Sequence, residues 1–355
     1  MRALWGCLLV GCAARAAVTS EPATERIAIV ASERGSMGMR LVAIDEHGDR
    51  RFELIAPATK IVRDTNPAIS PDGRWLVFAS TRERSEPDTT SLWIAPFGGD
   101  KVAPTRLTTG SWIDSHPVWT PDGAAVVFAS TREGGDFDLW RMPMRDGRAA
   151  QPTQLTTSIG HEITPVVARD GAIIYAAVTP TGAHEVESHL EERALDGTIH
   201  TLTGGPADSS PAITSDGATI IFARPHLRRA TSALDGELWQ MSRGSEVVTQ
   251  LADTPLTDES GPVMSRDGRF VFATSVLRGA EGNVLFSSVV HVDLRESRRR
   301  VRLLGDRAGP IDRLTPAIAA NPLDARALRD DPEYLPELAR IMARAIARER
   351  TRATP

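Results

Sequence analysis

Cysteine is almost absent from this 355-residue chain: Cys7 and Cys12 are the only two, both within the first dozen residues. Nothing beyond residue 12 can form a disulfide, so whatever folds there is held by packing alone. Lysine is nearly as scarce. Lys60 and Lys101 are the only ones, and every other cation is arginine. A formal net charge of -5 lacks the bulk basicity of nucleic-acid binding. Past the N-terminal dozen there is no apolar run long enough to span a bilayer as a helix. The common catalytic signatures are missing too. No Gly-x-Ser-x-Gly elbow occurs, and His161-Glu162 runs into Ile163-Thr164-Pro165 instead of completing His-Glu-x-x-His. Neither a glycine-rich phosphate loop nor an EF-hand loop is present, and no cofactor is called for.

The cysteines that do exist sit in a telling place. Met1-Arg2 is a small cationic start, and Ala3 to Gly11 is a short apolar run ending Leu9-Val10-Gly11-Cys12. The run is too short for a membrane span but has the form of an export signal. Its end resembles the bacterial lipobox, in which aliphatic and small residues precede the cysteine that is acylated. The resemblance implies a signal over 1–12, lipidation of Cys12 and a stable lipid anchor. Ala13 stands where an aspartate would favour retention at the inner membrane, which points to the outer membrane, facing the periplasm. Residues 13–25, rich in Ala, Ser and Thr, are expected to be a flexible tether.

The rest of the chain is dominated by one recurring phrase. Pro67-Ala68-Ile69-Ser70-Pro71-Asp72-Gly73 returns as Pro117 to Gly123, Pro165 to Gly171, Pro211 to Gly217 and Pro262 to Gly268. The Asp-Gly aspartates 72, 122, 170, 216 and 267 are spaced by 50, 48, 46 and 51 residues, a period that suits a four-stranded blade. Asp-Gly predicts a tight hairpin. A continuous apolar run follows each time, as in Trp75 to Ala79 and Ala125 to Ala129. Runs without alternation belong to strands covered on both faces. A third strand carries Trp93, Trp140 or Trp239 in one register, which reads as inter-blade core. The fourth is polar with one leucine.

Five complete units are visible, and the chain ends supply a sixth. Ile29 to Gly35 matches Val127 to Gly134, with later strands over Met39 to Ile44 and Phe52 to Ile55, but this unit lacks its first strand. Thr315-Pro316-Ala317-Ile318 matches Asn66-Pro67-Ala68-Ile69 without a following Asp-Gly. The expectation is that the C-terminal strand completes the N-terminal blade and removes a free edge. The units resemble the TolB-type propeller repeat over residues 27 to about 318, most strongly in the second and third blades. That resemblance implies an all-β, six-bladed β-propeller over 26–320, and by itself no particular function. TolB itself carries a sizeable α/β domain before its propeller, whereas here only the short tether is expected ahead of the first blade.

The candidate site comes from counting three residues back from each inner-strand proline: Asp64, Asp114, Glu162, Asp208 and Glu259, with Arg313 in the composite blade. Converging at one channel mouth, these carboxylates would attract a cation or a basic peptide; alternatively each caps a loop or bonds its neighbours. His116 lies near Asp114, and His161 adjoins Glu162. Two histidines beside carboxylates fall short of a metal site, so no metal is assigned. Arg34, Arg82 and Arg132 recur after the second strand and are expected to form inter-blade ion pairs. Beyond the propeller, 321–355 is expected to be helical, with Leu335, Leu338, Met342 and Ile346 at helical spacing beside a row of Arg340, Arg344 and Arg348. The leading expectation is a non-enzymatic envelope scaffold binding a protein or peptide partner at one propeller mouth, a partner that the resemblance implies to be a peptidoglycan-associated lipoprotein. The alternatives are a small-ligand or carbohydrate-binding propeller, or a propeller enzyme with a metal at the mouth using His116 and His161.

Overall fold

In the computed structural model every Asp-Gly phrase folds as a tight hairpin. The structure describes residues 27–322 apart from 36–37, 45–50, 57, 59, 84–88, 98–102, 182–185, 206, 228–233, 253, 255–256, 266, 279–283, 298, 300 and 304–312. Gly73, Gly123, Gly171, Gly217 and Gly268 take φ between 69° and 88°, a region that costs glycine nothing. The preceding aspartate accepts the N–H two residues on, from Arg74 at 3.1 Å, Ala124 at 3.0 Å and Ala218 at 3.0 Å. It also accepts a hydroxyl from Ser70, Thr120, Thr214 or Ser265. These bonds hold the Asp72 carboxyl down to about 2, with the Ser70 hydroxyl the largest cause. The aspartates are turn formers, as their sequence context predicts.

Each hairpin joins an inner strand to the apolar run after it. The inner strands are Val62–Ile69, Asp114–Trp119, His161–Val167, Ser209–Ile213 and Thr257–Met264. The second strands begin at Trp75, Ala125, Ile173, Thr219 and Phe270, and a third and a short fourth follow outward. At the other end of the chain, Arg313–Pro322 pairs antiparallel with Ile27–Gly35, so the C-terminal strand completes the N-terminal unit. Trp93, Trp140 and Trp239 stand opposite Phe78, Phe128 and Phe222 in one shared register.

The described strands form five hydrogen-bonded sheets, where six separate blades are expected from the repeat. The difference lies in one eight-stranded sheet. It contains two antiparallel four-stranded units, joined by a parallel bridge of Gly38 to Val62 and Met39 to Arg63. Gly38 makes that close approach possible, since a Cβ there would collide with the carbonyl of Val62. Apolar clusters fill the spaces between neighbouring units. One joins Val77, Leu92 and Ile94 to Val126, Phe128 and Trp140; another joins Ile29, Ala31 and Val42 to Phe270, Phe272 and Val289, closing the ring. Side chains such as Phe78, Phe128 and Phe222 are fully buried, and burying an aromatic of this size contributes roughly 1.5–3 kcal/mol. Cys12, the tether and the expected helix of 321–355 lie outside the described residues, save the strand end at 321–322.

Candidate functional site

The inner strands are not straight. In each of the five the pairing register shifts by one residue, between Thr65 and Ala68, Ser115 and Val118, Ile163 and Val166, Ser209 and Ala212, and Ser260 and Val263. The residue before the repeat's proline takes the slack in the left-handed region. Asn66, His116, Thr164 and Ser210 have φ of 50°, 48°, 51° and 51°, and Gly261 has 59°. Outside glycine this conformation costs on the order of 1–3 kcal/mol, and a β-branched residue such as Thr164 bears it worst. A bulge re-aims the side chain it carries. Here all five equivalent residues face one central cavity of about 470 Å³, above a wall built from the five prolines 67, 117, 165, 211 and 262.

This collar is polar and neutral. None of the described residues lining the cavity is Asp, Glu, Lys or Arg. The Thr164 hydroxyl oxygen is buried there without a protein partner among the described residues. His116 Nδ1 lies 3.0 Å from the Ser115 hydroxyl, and burial pushes the ring's pKa down to about 4, which leaves it uncharged near neutrality.

The five carboxylates picked out from the sequence stand two residues behind the collar and are at most 2% exposed. They are not a free acidic ring. Asp64 accepts two bonds from the Arg82 guanidinium, at 3.1 and 2.8 Å, and one from the Ser80 hydroxyl. Asp114 is paired with Arg132 at 2.8 Å, and Asp208 with Arg224 at 2.6 and 2.8 Å. Those arginines belong to the same unit as their aspartates, so Arg82 and Arg132 form ion pairs within a blade and not between blades. They also stack on rings, Arg132 on Trp140 and Arg224 on Trp239.

Among the described residues, no arginine hydrogen-bonds to Glu162 or Glu259. Glu162 accepts from Thr156 Oγ1 at 3.0 Å, and burial, aided by Asp138 and Glu191, pushes it up to about 7. Glu259 accepts from Thr257 and Ser275, each at 2.8 Å, and from Thr254. Burial, with Glu237 nearby, pushes it up to about 8.

His116 is thus the one sequence-selected residue, among those with described side chains, that lines the cavity. His161 turns away from it, accepting the Phe137 N–H at 3.1 Å. No group of three His, Cys, Asp or Glu side chains is placed to hold a metal among the described residues. Arg313 stands in register with Glu33; its side chain and that of Arg34 lie outside the described residues. The collar residues Asn66, Thr164, Ser210 and Gly261 were not selected from the sequence. Their signal was available: each directly precedes the proline of the repeat.

A family profile, the TolB beta propeller domain, matches residues 85–254. Among solved structures, TolB from Acinetobacter baumannii superposes with a TM-score of 0.60 at 17% identity, covering 83% of this chain and 66% of that one. A TolB from Agrobacterium tumefaciens, described as putative, gives 0.53 at 18% identity, covering 83% and 91%. Hydrazine synthase from Kuenenia stuttgartiensis gives 0.63 at 14% identity, covering 86% of this chain and 47% of that one. This chain therefore spans just under two thirds of the Acinetobacter protein. Comparison with curated protein sequences returns no match.

Proposed function

We propose that this chain, which carries a TolB-type β-propeller domain, is a non-enzymatic scaffold of the cell envelope that receives a protein or peptide partner at one mouth of its channel. The observation that carries the reading is the collar. Five equivalent inner-strand residues are held in the left-handed region so that they face one cavity, four of them non-glycine and therefore strained, and strain kept at the same place in four successive units marks a site where something is recognised. The leading carboxylates serve that site indirectly, fixing the strand starts that present the collar. The test is affinity capture from detergent-solubilised envelopes, comparing the wild type with a variant whose mouth is blocked by Asn66→Arg and Ser210→Arg. A protein bound by the wild type and lost from the folded variant is the expected result. A partner held equally by both places the interface elsewhere and overturns the reading.

A small ligand in the channel is the second reading, favoured by a cavity of about 470 Å³ that falls within the range typical of ligand sites. It predicts a thermal shift that rises with ligand concentration. Three finer assignments belong to the same proposal. The eight-stranded sheet counts as two blades, making the propeller six-bladed; Cys12 carries the lipid anchor, placing the protein on the periplasmic side of the outer membrane; and 321–355 adds a helical appendage. Incorporation of labelled palmitate that survives Cys12→Ser would sink the anchor.

A further inference from the structure

We infer that the channel selects an uncharged, hydrogen-bonding peptide segment, and not the basic one that its ring of acidic residues invites one to expect. The inference rests on the scaffold reading and specifies what that scaffold accepts.

Charge decides the matter. A lysine or arginine side chain drawn into the cavity would exchange water for a wall of prolines and small aliphatics such as Ala68, Val118, Val166 and Val263. A buried charge without a counter-charge is strongly disfavoured. The nearest carboxylates do not supply one. Asp64, Asp114 and Asp208 are already matched by Arg82, Arg132 and Arg224, and Glu162 and Glu259 are engaged by hydroxyls of their own surroundings. An anion fares no better, because the described lining holds no cation.

The collar does offer neutral donors and acceptors. The Asn66 amide, the His116 imidazole and the Ser210 hydroxyl each carry both functions, whereas the Thr164 hydroxyl oxygen is itself buried and out of a ligand's reach. A peptide backbone with small side chains brings alternating N–H and C=O groups at a rise of about 3.4 Å per residue. Such a segment can satisfy a polar collar and then place small apolar groups against the proline wall. Glycine at 261 leaves one side of the collar without a side chain, which gives the segment room to pass.

The test uses the full chain, immobilised, and a randomised library of blocked hexapeptides that carry no terminal charge. Bound peptides are recovered and sequenced in bulk. Gly, Ala, Ser, Thr and Asn are expected to be enriched, and Lys, Arg, Asp and Glu depleted by about tenfold, the ratio that corresponds to ~1.4 kcal/mol. The enrichment should weaken with Ser210→Ala and disappear with Asn66→Gly and Ser210→Ala together. Ser210→Ala alone is mild enough to keep the fold, which circular dichroism checks. Enrichment of Lys or Arg overturns the inference, and so does a profile that the collar variants leave unchanged or a library with no enrichment at all. Failure here with partner capture intact removes only this specificity, whereas loss of partner capture removes the scaffold itself.

Discussion

The five inner strands solve one problem in two ways. Each begins with a carboxylate that is at most 2% exposed. In the units of Asp64, Asp114 and Asp208 an arginine from the same unit stands against it. In the units of Glu162 and Glu259 the described donors are hydroxyls, with a second acid, Asp138 or Glu237, close by. The first arrangement sets a guanidinium against the carboxylate. The second raises the pKa and favours the proton. Side-chain length goes with the choice: the short acid meets an arginine, and the longer acid reaches a threonine near the end of the preceding unit. A similar burial can thus leave one carboxylate against a guanidinium and push the pKa of another up to about 7 or 8.

The comparison breaks most visibly under substitution. Arg82→Met leaves Asp64 buried and unpaired and is expected to cost about 3–5 kcal/mol, read as a lower urea midpoint at constant slope. Glu162→Gln replaces a carboxyl that already favours its neutral form with an amide of the same shape, and should cost less than about 1 kcal/mol. Equal losses from the two variants would mean that Glu162 depends on its carboxylate as much as Asp64 depends on Arg82, and the distinction would fall.

Acidity separates the two classes next. The usual glutamate value of 4.5 rises to about 7 at Glu162 and to about 8 at Glu259, so between those limits the folded chain holds protons that the unfolded chain has released. Stability from this source is complete below about pH 4.5 and is lost as pH rises through 7 and 8. The slope is at most about 1.4 kcal/mol per pH unit for each group. His116 acts in the opposite direction at the acid end: held down to about 4, it removes stability as pH falls from about 6.5. Denaturation midpoints measured from pH 5 to 9 should therefore decline in the wild type and flatten in the variant with both Glu162→Gln and Glu259→Gln. An unchanged decline would place the titration elsewhere.

Much of this molecule is legible in its sequence because the signals are local. Asp-Gly declares its hairpin, the apolar runs declare two covered faces, and Trp93, Trp140 and Trp239 declare a common register. The closing strand at 313–322 could be read as well, since Pro316 repeats the context of Pro67. What escaped is non-local. Asp64 and Arg82 lie 18 residues apart, and only the hairpin register, which sets Asp64 opposite Ser80, shows that they meet within one unit. A motif search sees five acids in equivalent positions and infers convergence; it does not see that the side chains turn into the blade. The collar escaped for a related reason. A bulge is a fault in pairing between two strands, and nothing in Thr164 or Ser210 alone announces a left-handed residue. The parallel bridge that merges two units depends likewise on Gly38 meeting Val62 within one eight-stranded sheet.

The smallest expected change in stability is also the sharpest comparison, because it converts one class into the other. Glu162 pairs with Ala177 as Asp114 pairs with Ser130, so Thr179 occupies the place that Arg132 holds in its own unit. Thr179 is exposed, and an arginine there adds length without overfilling the core. In Thr179→Arg a guanidinium can reach the Glu162 carboxylate, and the attraction gained is largely offset by desolvating both charges. The denaturation midpoint at pH 7 should therefore move little, by less than about 1 kcal/mol in free energy. The pH profile should respond more clearly, losing the share of its decline that runs from about pH 4.5 to about 7 while keeping the share of Glu259, which continues to about pH 8. If both parts persist, proximity to an arginine is not what separates the aspartate units from the glutamate units. Reach, and with it the length of the acid, would then be the property that decides which carboxylates keep their protons.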